Sequence, residues 1–269
     1  MGMTEESGPQ VGLERGLEVK ETTLPVTLKT LPLPVARPVQ WRRLREQLAI
    51  LHESDPAKVL DAAYSTGDSI GGMSEERLVR RFLASSDGQR LLSERPSLTE
   101  ALADHEALAA LPEGSLGSVY LAFSRRQGLD PRALISSQHE MSRDYAHLDP
   151  VRQWIRDRLT VMHDLWHVVA GYDATNAGET ALMCFSLPQR LNDRALPIFI
   201  AMSLFTGKIK ARNVWQAIQR GRRAGFLPTA PFEELLALPL DVARQRLGVS
   251  LPRTAHPGPN SVAMLMPVQ

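Results

Sequence analysis

Between Val39 and Val249 apolar residues recur mostly at every third or fourth position, the spacing of helices that turn one face inward. Trp41, Leu44, Leu48 and Leu51 predict a first helix that stops near Ser54-Asp55-Pro56. Ser74 is placed to cap a second, with Glu76 and Arg77 behind it and Leu78, Val79, Phe82 and Leu83 as its apolar face. Further helices are predicted over residues 98–111, 115–127, 149–171, 176–191, 195–207, 211–225, 231–238 and 241–247. The alternating runs of half-buried strands are nearly absent and the intervening loops are short. The pattern therefore predicts an all-α fold, a single helical domain over residues 39–250.

Outside that span the texture changes. Residues 1–38 mix Thr, Val and Leu with repeated prolines, which interrupt helices and central strands, so an extended or disordered arm is expected. Residues 251–269 read as a flexible tail.

Composition narrows the classes of function. The 269 residues are 43% hydrophobic and 23% charged, ordinary for a globular chain, and the formal net charge of +1 gives no global attraction to nucleic acid, which is not expected as a partner. A single cysteine, Cys184, rules out an internal disulfide and a cysteine-based zinc site, which leaves histidines and carboxylates as metal ligands. The first forty residues carry five glutamates and no apolar segment of signal-peptide type, so no secretory signal or mitochondrial presequence is expected. The longest apolar run, Ala195 to Phe205, is about half the ~20 residues that a spanning helix needs and is interrupted by Pro197. It reads as a buried helix with a solvated end at Lys208, Lys210 and Arg212, or as a ramp that touches a membrane surface.

The stretch HDLWHVVAGYDATNAGE, residues 163–179, carries the candidate chemistry. Asp149-Pro150 is an N-cap followed by proline at the first helical position, and Gly171 suits the far end, so one long helix holds both histidines. Ile155, Leu159, Met162, Trp166 and Val169 form its core stripe. At about 100° per residue, His167 lies about 40° and Asp164 about 100° around the axis from His163, so three ligand-capable side chains share one sector. A tight turn would return Glu179, in the first turn of the next helix, to His167. Two imidazoles with carboxylates suit Zn²⁺ or Fe²⁺. The same residues also read as ordinary structure: Asn176 and Glu179 fit a capping box, and Asp164 could pair with Arg156 or Arg158. Spacing alone leaves both open.

Other features are less specific. Arg220, Arg222 and Arg223 could cap a helix end or meet a substrate carboxylate or anionic lipid headgroup. No nucleotide-binding glycine pattern follows a strand, so no flavin or nicotinamide is expected. His52, His105, His139, His147 and His256 lack partner spacing. His139 or His147 with His163-Asp164 and Asp193 imitates a metal phosphohydrolase, a weaker match than Glu179 provides.

HDLWH followed by eleven residues and Glu179 resembles the H-D-x-x-H-x(n)-E motif of the coenzyme Q biosynthesis family, the metal-binding member of the eukaryotic COQ complex and its bacterial relatives. RLLSERPSL, LPEGSLGSVYLAF, RGRRAGFL and FEELLALPLDVARQRLGV resemble other signatures of that family in the same order, covering residues 75–250. The resemblance implies an all-helical domain with a hydrophobic cavity between helices for a polyprenyl tail, and a metal held by His163, Asp164, His167 and Glu179. It implies metal-dependent oxidative decarboxylation of a polyprenylated 4-hydroxybenzoate, in which hydroxyl replaces the C1 carboxylate. The alternative is a non-catalytic prenyl-lipid scaffold that gathers other quinone-biosynthesis enzymes. With no presequence seen, the bacterial branch is expected: a cytoplasmic protein, in contact with the inner face of the membrane. The sequence leaves a homodimer open.

Overall fold

The computed structural model describes residues 38–50, 74–142, 145–189, 195–205 and 209–252, together with 31, 66, 69, 70 and 207. The arm over 1–38, apart from Leu31 and Pro38, the loop at Ser54-Asp55-Pro56, and the tail beyond Pro252 lie outside the described residues, as does Asp193.

The described residues are helical, with no strand and one isolated bridge between Ser115 and Pro239. In chain order the α-helices are α1 (Trp41–Ile50), α2 (Ser74–Leu83), α3 (Ser86–Glu94), α4 (Leu98–Ala103), α5 (His105–Ala109) and α6 (Leu116–Gln127). There follow α7 (Pro131–Met141), α8 (Pro150–Ala170), α9 (Asn176–Ser186), α10 (Ala195–Phe205), α11 (Ala211–Arg223), α12 (Phe232–Leu235) and α13 (Leu240–Leu247).

Several boundaries differ from those predicted, for local reasons. The helix expected over 98–111 breaks at Asp104, whose side chain accepts from the Ala107 amide and so caps a new helix. Pro188 closes α9 early, in a 3₁₀ turn over Leu187–Gln189. Two helices fall outside the predicted set: α3, capped by Ser85, and α7, opened by Asp130-Pro131. The second carries the same Asp-Pro signal that marks the start of α8.

The long helix α8 is the centre of the fold and packs against α4, α6, α7, α9 and α13. Its predicted stripe is inside, with Ile155, Met162, Trp166 and Val169 buried and Leu159 packed at the core's edge. Burial goes further than a single stripe: from Val161 to Ala170 only His163 is not buried. A helix surrounded by neighbours has no solvent face left over most of its C-terminal half. Beyond the turn, α9 packs closely on α11. A Cβ on Gly221 would stand 1.9 Å from the Phe185 carbonyl oxygen, so glycine permits that approach.

A second, smaller cluster joins Phe82, Leu83, Leu91 and Leu92 to Val151 and Ile155 near the start of α8. There Arg152 is buried between Glu76, at 2.7 Å, and Asp149, with which it also pairs. Clefts among the described residues include one of about 360 Å³ between Arg81, Phe226 and Arg246 and one of about 400 Å³ beside Leu108 and Leu236. Neither is lined by His163, His167 or Glu179. No helix among the described residues is long and apolar enough to cross a membrane.

Candidate metal centre

The end of α8 and the start of α9 build the site. Asp149 caps α8 through the amides of Val151 and Arg152, and Gly171 ends it in the left-handed conformation, φ 71°. The chain reverses over Tyr172 to Thr175. Asp173, buried, accepts from the Thr175 hydroxyl at 2.6 Å and from its amide at 3.2 Å. Thr175 in turn accepts from the Gly178 amide and is the N-cap of α9, so the capping box expected from Asn176 does not form. Glu179, released from capping, projects back toward α8.

Three donor atoms meet there. His163 Nε2 lies 3.2 Å from Glu179 Oε2 and 3.2 Å from His167 Nε2, and His167 Nε2 lies 3.0 Å from Glu179 Oε1. Among the described residues this is the group whose ligand atoms all fall within 4.8 Å. Asp164 is not in it. Its carboxylate is buried but does not meet the arginines expected for it: Arg156 pairs with Glu75, and Arg158 with Glu233.

Burial and mutual charge shape this cluster. Glu179 is held well below the usual carboxylate range, because the charges and hydrogen bonds of His167 and His163 outweigh the effect of burial. Burial works against a charged His163, yet its hydrogen bond to the Glu179 carboxylate and the charges of Glu179 and Asp164 raise it. Asp164 is raised by burial, partly offset by the two histidines.

When both rings are neutral the donor set is short of protons, and that is the test of whether it fits a metal. His167 Nδ1 lies 3.2 Å from the Tyr172 carbonyl oxygen, which can only accept, so Nδ1 carries the hydrogen and Nε2 of the neutral ring is a lone pair. That lone pair faces a carboxylate oxygen at 3.0 Å. One hydrogen on His163 Nε2 cannot relieve every acceptor contact; an extra proton or a divalent cation can. Ligand atoms bound to zinc at about 2.1 Å lie roughly 3.0–3.4 Å from one another, which is the observed spacing. The Phe123 ring stacks on His167 at 5.7 Å and fixes its plane. The residues fit a metal.

Residues 47–253 match the family described as Coenzyme Q (ubiquinone) biosynthesis protein Coq4. The chain belongs to the Coq4 family. Individual Coq4 relatives are more distant. The chain is 28% identical over 182 residues to the mitochondrial ubiquinone biosynthesis protein of Pyrenophora tritici-repentis, covering 65% of this chain and 60% of that one. It is 29% identical over 176 residues to the mitochondrial homologue of Mus musculus, covering 62% of each. This chain thus spans about three fifths of the curated relatives it matches. A crystal structure from Nostoc punctiforme PCC 73102, provisionally named a ubiquinone biosynthesis protein, aligns with TM-score 0.55 and 22% identity over 78% of this chain and 97% of that one. That likeness shows the fold.

The relatives correct one expectation. A bacterial cytoplasmic location does not stand, because the curated proteins this Coq4 chain resembles are named as mitochondrial in fungi and mammals. The expectation rested on the composition of an arm, and acidic composition does not specify a compartment.

Among the arginines, Arg220 is buried and caps α8 rather than reaching a ligand, whereas Arg222 and Arg223 are exposed. His139 is engaged by Asp157 at 3.0 Å and stacked on Tyr145, apart from the cluster. What sequence reasoning missed is the support: the Tyr172 carbonyl, the Phe123 ring, Asp173 and two buried arginines. A backbone carbonyl leaves no mark in the side-chain pattern, Asp173 in the turn carries no ligand spacing of its own, and the Phe123 ring and the two arginines come from distant segments.

Proposed function

We propose that this chain acts in ubiquinone biosynthesis as a metal-dependent enzyme that replaces the C1 carboxylate of a polyprenylated 4-hydroxybenzoate-type intermediate by hydroxyl. The observation that carries this reading is the open side of the cluster. His167 is buried, but the side chains of His163 and Glu179 keep 37% and 33% of their exposure. Three protein donors with one accessible face are the pattern of catalytic sites, whereas structural sites are closed by a fourth ligand.

A divalent ion held by His163, His167 and Glu179, zinc or iron(II), supplies Lewis acidity toward the ring oxygen or carboxylate, and iron adds one-electron chemistry with dioxygen. The residues supply the rest. Tyr172 and Phe123 hold His167 in one tautomer and one plane. His163 and Glu179 form the rim that a substrate would meet. Exposed Arg222 and Arg223, on the helix packed against α9, suit a carboxylate or an anionic lipid headgroup. The 94% exposed Phe205 at the end of apolar α10, with exposed Lys210 and Arg212 beyond it, suits a membrane surface where a polyprenyl substrate resides. Other quinone-biosynthesis enzymes would be its partners there.

The bond from C1 to the carboxylate carbon breaks, a C1–O bond forms, and dioxygen takes the two electrons. Acid, dioxygen and water balance phenol, carbon dioxide and hydrogen peroxide. The test is turnover of a prenylated hydroxybenzoate by metal-loaded protein under oxygen, read by mass spectrometry. A C1-hydroxylated product and released carbon dioxide are expected. Tight binding without product would instead establish a lipid-binding scaffold.

A further inference from the structure

The last four carbonyls of a helix have no partner within it. At the end of α8 each finds one. The His167 carbonyl accepts from the amides of Gly171, at 2.9 Å, and Tyr172, at 3.1 Å. The Val168 and Val169 carbonyls accept from Arg244 Nη2 and Nε, both at 2.9 Å. The Ala170 carbonyl accepts from Arg220 Nη2 at 2.6 Å.

Both arginines are buried, and neither forms an ion pair among the described residues. Burial lowers each, Arg244 to about 10. The negative end of α8 compensates for two desolvated cations that no carboxylate neutralises directly.

Their reach differs. Arg244 grips the helix end alone, whereas the Arg220 guanidinium also lies 4.9 Å from the Tyr172 ring centroid and donates through Nε to the Ser250 carbonyl at 2.8 Å. Arg220 therefore holds both flanks of Gly171: the carbonyl just before the turn and the ring just after it. The residue it fixes beyond the turn, Tyr172, is the one whose carbonyl receives His167 Nδ1.

We propose that Arg220 is a positioning residue for the metal centre, locking the Gly171 turn so that the Tyr172 carbonyl sets the tautomer and ligand strength of His167. This rests on the reading of His163, His167 and Glu179 as metal ligands. Outer partners of ligating histidines typically contribute about 10–100-fold in metal affinity.

The test compares the full chain with its R220M, R220K, R244M and Tyr172→Leu variants. Zn²⁺ and Co²⁺ affinities are measured by chelator competition, the fold by circular dichroism, and the His167 ring by ¹⁵N-resolved NMR without metal. R220M and Tyr172→Leu should each lose about 10–100-fold in affinity, with the His167 Nδ1–H signal shifted or lost. R220K, which keeps one charged donor nitrogen but not the planar fork, should lose less. R244M should lower thermal stability while keeping affinity within about 3-fold, below the outer-partner range. Wild-type affinity in folded R220M would overturn the inference, as would an equal loss in R244M, which would assign the effect to the helix end alone. Should R220M fail to fold, R220K and Tyr172→Leu decide the matter by the same criterion. If the wild-type chain binds neither ion, the metal reading falls, and an unchanged His167 signal in the Arg220 variants would separately sink the positioning role.

Discussion

His167 Nε2 lies 3.0 Å from Glu179 Oε1, while Nδ1 of the same ring faces the Tyr172 carbonyl oxygen at 3.2 Å. With the ring neutral, Nε2 and Oε1 are two acceptors, and either a proton on Nε2 or a divalent cation between them relieves their repulsion. Replacing Glu179 by Gln should remove that repulsion. We expect Glu179→Gln and His163→Ala each to reduce divalent-metal affinity by more than the ~100-fold upper range of outer-partner losses, with helical content retained. Asp164→Asn, outside the three-atom convergence, should lose less. Elemental analysis and chelator competition decide it; full metal retention in Glu179→Gln would remove the site.

The contact of α9 with α11 rests on one missing side chain. A Cβ at Gly221 would fall 1.9 Å from the Phe185 carbonyl oxygen and 3.3 Å from its Cα. Backbone atoms cannot swing aside as a side-chain tip can, so the two helices must separate. Gly221→Ala should cost about 3 kcal/mol or more, at the upper end of overpacking penalties, despite the better helix propensity of alanine. Gly128→Ala, at φ 66° and with no atom within 4 Å of an added Cβ, meets no such wall and should cost only about 1–2 kcal/mol for the left-handed backbone. Urea denaturation of the two variants checks the order.

Much of this is legible in the chain. The limits of α8 are, because Asp149-Pro150 and Gly171 are local signals whose physics is complete within a few residues. The convergence of His163, His167 and Glu179 is legible as one of two readings, since helical angle and a short turn permit it while a capping box at Asn176 competes for Glu179. Asp164 shows where angle stops being enough: a position about 100° around the axis sets the sector but not the reach of a short side chain. The arginines escape a sequence reading for a different reason. Arg220 caps a helix fifty residues upstream, and such pairing exists only after α11 and α13 have docked. Likewise Asn176 suits the cap by residue type, but Thr175 holds the extended backbone that capping requires.

The start of α8 gives the protein a defined response to acid. The Asp149 carboxylate accepts from the Val151 and Arg152 amides at 3.0 and 3.1 Å and pairs with the Arg152 guanidinium. Burial opposes its charge, but the hydrogen bonds and charge of Arg152 win, so its folded pKa lies below the unfolded value. A carboxyl depressed in this way contributes stability that is fully present above the unfolded pKa, near 3.9, and is lost as pH falls through the folded value. Asp149→Ala should therefore cost about 1–2 kcal/mol at neutral pH, and its deficit against the wild type should shrink in acid. Asp149→Asn, which keeps an N-capping oxygen but not the ion pair, should fall between the two at neutral pH. Denaturant midpoints of the three proteins at neutral pH and at about pH 3, below the unfolded value, make the comparison. A deficit that stays constant or grows on acidification would show that the carboxylate's charge does not stabilise the helix start.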